Sequence, residues 1–143
     1  MKIARVLLLT CLAAPAARSA GPAASPVSNV GAAGPVLQLA PKGAFELIVK
    51  HRKAKDLVVI DIRSPEDFAA GHLPGAINMQ YDEKKFADEI AKFTKSKSYL
   101  LNCAGGKSSF KAAKAMTGQG FKPVYNLDGG IAAWTGYGLP TTK

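Results

Sequence analysis

From Val36 onward, short apolar runs alternate with segments whose apolar residues recur at helical spacing. Val36-Leu37-Gln38-Leu39 predicts a strand. Pro41 suits a first helical position, and Phe45, Ile48, Val49 and Arg52 follow at the spacing that buries one stripe of a helix. Leu57-Val58-Val59-Ile60-Asp61-Ile62 is continuous and rich in β-branched residues, the composition of a strand covered on both faces. Ser64-Pro65-Glu66-Asp67 reads as a helix start, with Ser64 as N-cap, Asp67 in the reciprocal position and Gly71 as the end. Ala76 to Met79 predicts a further short strand. Asp82 to Phe93 predicts an amphipathic helix striped by Phe86, Ile90 and Phe93. Ser98-Tyr99-Leu100-Leu101-Asn102 predicts a strand that runs straight into Cys103. Lys107 to Met116 reads as a helix closed by Gly118 and Gly120, and Pro123 to Leu127 as the last strand. Asp128-Gly129-Gly130 reads as a turn and N-cap before a short helix anchored in the core by Trp134.

This alternation, with short links, predicts an α/β domain built on a mostly parallel sheet of about five strands with helices on both faces. Chemistry in such folds gathers at the carboxyl ends of strands. Cys103 stands at one such end, and Asp61 with Arg63 at another.

The first residues carry a different pattern. Lys2 and Arg5 precede an apolar run from Val6 to Ala14 and then small residues, the layout of a secretory signal peptide over residues 1–20. The run is too short to span a bilayer. Cleavage is compatible with the bonds after Ala16, Ser19 or Ala20. Cys11 leaves with the leader, and Thr10 before it argues against lipoprotein anchoring there. Residues 21–34, GPAASPVSNVGAAG, read as a flexible linker, and residues 35–143 as one domain large enough for a single core. The expectation is an exported, periplasmic protein.

Loss of Lys2, Arg5 and Arg18 takes the formal charge of the 143-residue chain from +9 to +6. The remaining lysines are interleaved with acids and not set between stacking aromatics, which argues against a nucleic-acid partner and for a mild preference for small anions. His51, His72 and Cys103 show no metal-ligand spacing, and no cofactor is implied. His72 suits a turn residue bonded to backbone. Lys111 and Lys114 suit a solvated face that adds positive potential.

Once Cys11 is gone, Cys103 has no partner for a disulfide in its own chain, and an unpaired thiol in an oxidising compartment is a liability unless it is used. Ala104-Gly105-Gly106-Lys107-Ser108-Ser109 leads from a strand end to a helix start, and its glycines let the backbone turn N–H groups inward. Those amides, the helix dipole and Lys107 are expected to favour the thiolate, the reactive form. Ser108 and Ser109 offer hydroxyls to a bound group, while Ser109 also suits a cap on the helix that follows. Asp61 and Arg63 suit a structural ion pair or loop brace beside the site.

Four motifs, in order, resemble the signatures of the rhodanese family: Asp61-Ile62-Arg63 with Asp67-Phe68; Gly71-His72-Leu73-Pro74-Gly75-Ala76-Ile77-Asn78; Cys103 to Ser109; and Leu127-Asp128-Gly129-Gly130-Ile131-Ala132-Ala133-Trp134. The resemblance implies a small rhodanese-like α/β domain and sulfurtransferase chemistry. It implies that Cys103 takes a sulfane sulfur from a small anionic donor such as thiosulfate, becomes a persulfide, and passes the sulfur to cyanide or to a thiol acceptor such as a redox protein. It also places a sulfur anion against Ala104, Gly105, Gly106, Lys107, Ser108 and Ser109. Many members of the family carry arginine where this chain has Ser108, and glutamate where it has Asp67. Two other readings remain open at this point: a low-turnover persulfide carrier or sensor, and a cysteine-dependent phosphatase or arsenate reductase. The latter needs a loop arginine to grip a tetrahedral anion bidentately.

Overall fold

A computed structural model describes residues 34–143. The expected signal peptide, Cys11 and, apart from Gly34, the expected linker lie outside the described residues. Ten elements follow in order: β1 (Val36–Leu39), α1 (Pro41–His51), β2 (Leu57–Asp61), α2 (Pro65–Ala70), β3 (Ile77–Asn78), α3 (Phe86–Ile90), β4 (Ser98–Asn102), α4 (Lys107–Gly118), β5 (Val124–Leu127) and α5 (Gly130–Gly136). The strands form one sheet in the order β1-β5-β4-β2-β3, with every pair parallel. The expected five-strand α/β architecture is therefore the one present.

Strand periodicity divides the core into two layers. Ile60, Ile62, Tyr99 and Leu101 face one way, onto Phe86 and Ile90 of α3 and Ala112, Ala113 and Met116 of α4. Val59 and Leu100 face the other way, onto Ala44 and Ile48 of α1 and Trp134 of α5. Trp134 is fully buried and donates from Nε1 to the Pro140 carbonyl at 2.9 Å, so the ring anchors the core with its one polar atom satisfied.

Local signals set the element ends, with instructive departures. Pro41 opens α1, but the buried stripe is Pro41, Ala44 and Ile48; Val49 is 55% exposed and Arg52 is exposed. Val49 sits 100° round the helix from Ile48, and the sheet lies beneath only one of them. Ser64 caps α2, its hydroxyl accepting from the Asp67 amide at 3.3 Å. The expected helix from Asp82 to Phe93 contracts to Phe86–Ile90. Asp82 explains the late start: its Oδ1 accepts from the Lys84 amide at 2.9 Å, and its carbonyl from the Phe86 amide at 2.8 Å, which makes the approach a turn. Phe93 lies beyond α3 but still packs edge-on against Tyr99, with ring centroids 5.9 Å apart. Helix α4 runs past Met116 to Gly118, and the αL conformation of Gly120 follows. The N-cap of α5 is Gly129, with no capping side chain; Asp128 is exposed and does not cap.

After β2 the chain moves to β3 on one flank of the sheet, and after β4 it moves to β5 on the other. The connections diverge at the carboxyl ends of β2 and β4, where an open parallel sheet leaves a crevice.

Candidate active site

Cys103 follows the last residue of β4 and is 6% exposed at the foot of that crevice. Its Sγ accepts three hydrogen bonds: from the Gly106 amide at 3.0 Å, the Ser109 hydroxyl at 3.2 Å and the Ser109 amide at 3.4 Å. The chain turns this tightly because Gly106 adopts φ +87°, and a Cβ there would meet the Gly129 nitrogen at 2.9 Å and the Leu127 carbonyl at 3.0 Å. The loop carbonyls are taken up elsewhere. Cys103 O accepts from the Ile131 amide at 2.9 Å and Ala104 O from the Ala132 amide at 3.1 Å, both at the start of α5. Gly106 O accepts from Asn126 Nδ2 at 3.1 Å, and the same nitrogen reaches Gln38 Oε1 at 2.7 Å. With its carbonyls held on α5 and β5, the loop presents amides to the sulfur.

The electrostatic balance follows from this geometry. Burial, the largest single influence, pushes the Cys103 thiol up, but the Ser109 hydroxyl and the amides of Ser109, Gly105 and Gly106 together outweigh it and hold the thiol below its ordinary value. Lys107, expected to contribute, makes no hydrogen bond to the sulfur; it is exposed and lines the crevice. Ser109 is likewise not a helix cap. That place belongs to Gly106, and Ser109 is fully buried with its hydroxyl on the sulfur. Ser109→Ala is therefore expected to raise the pKa read from the pH dependence of iodoacetamide alkylation and to slow alkylation at neutral pH. An unchanged profile would refute the role of this hydroxyl.

Arg63 lies across the crevice. Its Nη2 donates to Asp61 Oδ2 at 2.7 Å and to the Gly71 carbonyl at 2.7 Å, and its Nε to Asp61 Oδ1 at 3.0 Å. Asp61 is fully buried and does not line the crevice, so it acts as the brace expected of it. Arg63 does line the crevice, which measures about 480 Å³. Its Nη1 has no protein partner among the described residues. Ala104, Gly105, Lys107 and Ser108 complete the loop side of the wall; Ala104, Gly105 and Ser108 are exposed. His72 bonds backbone as expected, its Nδ1 lying 2.9 Å from the Phe68 carbonyl. Lys111 pairs with Glu83 on the surface at 2.8 Å.

Sequence reasoning missed Gln80 and Tyr81, which form the end wall of the crevice, and Asn126, which holds the loop. Gln80 and Tyr81 follow the carboxyl end of β3, so the same strand-end rule that selected Cys103 reaches them. Asn126 was visible as a polar residue inside an apolar strand. Among the described residues no group of three or more His, Cys, Asp or Glu side chains converges as a metal site.

Comparison with known proteins agrees with this arrangement. Residues 45–137 match the rhodanese-like domain family. The thiosulfate sulfurtransferase GlpE of Pseudomonas putida strain F1 is 41% identical over 97 residues, covering 68% of this chain and 83% of the relative. GlpE of Shewanella oneidensis is 36% identical, over 61% of this chain and 84% of the relative. Among solved structures, a protein of unknown function from Rhodopseudomonas palustris, RPA3614, described as a possible tyrosine phosphatase, aligns with a TM-score of 0.64 at 28% identity, covering 75% of this chain and 85% of that one. A rhodanese-related protein of Thermoplasma volcanium shares the fold with a TM-score of 0.58 at 22% identity, covering 74% and 97%. With a family match over most of the described domain and relatives that are thiosulfate sulfurtransferases, the chain belongs to the rhodanese-like domain family as a sulfurtransferase.

Proposed function

We propose that this sulfurtransferase takes a sulfane sulfur from thiosulfate onto Cys103 and delivers it to a thiol through a Cys103 persulfide. The observation that carries the reading is the triple donation to Sγ from Gly106 and Ser109, with Arg63 on the opposite wall. The Cys103 thiolate attacks the outer sulfur of thiosulfate. The new S–S bond forms as the bond to the sulfonate sulfur breaks, and that electron pair leaves with sulfite. Three negative charges are thereby brought together, and the loop amides, the free Nη1 of Arg63 and Lys107 offset their repulsion. Arg63 takes over the anion grip that Ser108, in place of a loop arginine, does not supply. Ala104 and Gly105 leave room for the donor, and Ser108 offers a hydroxyl to the departing oxygens. The same amides then hold the persulfide. The leader-like first residues support action in the periplasm.

Incubating the purified protein with thiosulfate is expected to release sulfite and to add the mass of one sulfur atom to Cys103. Sulfite release without that adduct would refute the persulfide route, and an adduct with negligible turnover would favour a sulfur carrier. Arg63→Lys keeps a cation for the buried Asp61 but loses the planar fork. The expected result is a KM for thiosulfate raised about tenfold, with kcat changed less than about threefold. An unchanged KM would remove Arg63 from donor binding. A phosphatase reading lacks the arginine it needs on the Cys103 loop, and hydrolysis of an aryl phosphate would revive it.

A further inference from the structure

Arg63 has two anchors, and they come from different parts of the chain. Asp61 accepts from Nε and Nη2 along one edge of the guanidinium, and the Gly71 carbonyl accepts from Nη2 at 2.7 Å. The side chain is only 11% exposed, so these acceptors set its place and water contributes little. Gly71 is held in turn by a segment far along the chain. Beside it, the His72 amide donates to the Thr142 carbonyl and the Thr142 amide donates to the His72 carbonyl, both at 2.9 Å, a two-way antiparallel bridge. A Cβ at Gly71 would lie 3.7 Å from Thr141 Oγ1, so the same segment also lies against Gly71 directly. At its other end the segment is fixed to the core: the Pro140 carbonyl accepts from Trp134 Nε1 at 2.9 Å, and Leu139 packs in the layer that holds Trp134 and Leu73. A continuous line of contacts thus runs from buried Trp134, through residues 139–142 and Gly71-His72, to Nη2 of Arg63.

We propose that residues 139–142 form a strap that positions Arg63 for the sulfur donor, acting through the Gly71 carbonyl; the proposal rests on the reading of Arg63 as the grip on the thiosulfate anion. A guanidinium held along one edge still rocks about its carboxylate. The Gly71 carbonyl is the further point of support that stops this rocking and keeps the unpaired Nη1 in one place on the crevice wall. A grip that wanders loses donor affinity even though its charge is unchanged. The strap touches neither Sγ nor its donors, which come from the Gly106 and Ser109 side of the crevice. Its influence therefore falls on donor binding and not on the thiol. Both bonds of the bridge are made by backbone atoms, so the Thr142 side chain has no part in them.

The test uses Thr142→Pro, which removes the amide that donates to the His72 carbonyl, beside Thr142→Ala, which keeps both backbone bonds. Thr142 is exposed and belongs to neither core layer, so both variants keep the fold. With cyanide as acceptor, Thr142→Pro is expected to raise the KM for thiosulfate about threefold or more, with kcat within about twofold of the wild type. The pH profile of Cys103 alkylation stays where it was, and Thr142→Ala behaves as the wild type. In an Arg63→Lys background Thr142→Pro should add less than about half of that rise, because the two changes act on one contact. An unchanged KM in Thr142→Pro, an equal rise in both backgrounds, or a matching rise in Thr142→Ala would overturn the strap while leaving Arg63 as the donor grip. Arg63→Lys with an unchanged KM would overturn both.

Discussion

Cys103→Ser is expected to abolish sulfite release from thiosulfate, a loss of at least about 10³-fold, while leaving the fold in place. Serine is close in size and its Oγ can still accept from the Gly106 amide and the Ser109 hydroxyl, so denaturant unfolding should place the variant within about 1 kcal/mol of the wild type. What disappears is the nucleophile, because an alkoxide is out of reach at neutral pH where a thiolate is not. Turnover that survives in a well-folded variant would sink the persulfide mechanism. The pH dependence adds a second check. The folded thiol titrates below its ordinary value, since the Ser109 and glycine donors outweigh burial. Wild-type activity should therefore rise with pH through the folded thiol's pKa, earlier than for a free cysteine. The same cradle adds stability that is full above the unfolded thiol's pKa and is lost as pH falls through the folded value. The stability profile of Cys103→Ser should lack that component.

Gly130→Ala is expected to be the most disruptive single-methyl change in the domain. Gly130 opens α5 at φ +58°, and a Cβ would collide with the Cys103 carbonyl oxygen and meet the Ala104 carbonyl carbon and oxygen at 2.7 Å. All of these atoms are backbone, so no side-chain rotation relieves the clash. Either α5 withdraws, losing the bonds from Ile131 and Ala132 to the loop carbonyls, or the loop itself moves and the amides leave the sulfur. The expected cost is about 3 kcal/mol or more in unfolding free energy, with at least about a hundredfold loss of turnover in whatever folds. Gly136 lies at the far end of the same helix, with nothing within 4 Å of its position for a Cβ. Gly136→Ala should therefore leave both quantities nearly unchanged. Similar stability for the two variants would show that α5 does not hold the loop.

Residue by residue, what could be read in the chain follows a physical division. Ser98–Asn102 was legible to its last residue because an apolar run bounded by polar ones needs no distant partner to declare itself, and the strand end then placed Cys103. Ser64 was legible as a cap because its bond spans only three residues. Ser109 was misread for the complementary reason. Its spacing fits a cap, but whether its hydroxyl turns to a helix amide or to sulfur depends on the αL turn at Gly106, and that turn is tight because β5 and α5 press against it. Lys107 was credited with stabilising the thiolate on proximity in sequence, while the structure leaves it exposed on the crevice wall with no hydrogen bond to the sulfur.

The sequence by itself thus determined the alternating elements, the parallel α/β class, the thiol at a strand end and the family, since each rests on periodicity, local turn chemistry or ordered motifs. Only the tertiary structure decided which groups touch the sulfur, that Arg63 beyond the end of β2 lines the same crevice, that Asn126 and α5 hold the loop carbonyls, and that Gln80 and Tyr81 complete the crevice wall. Those facts belong to residues far apart in the chain, and neighbours of that kind exist only once the strands have paired.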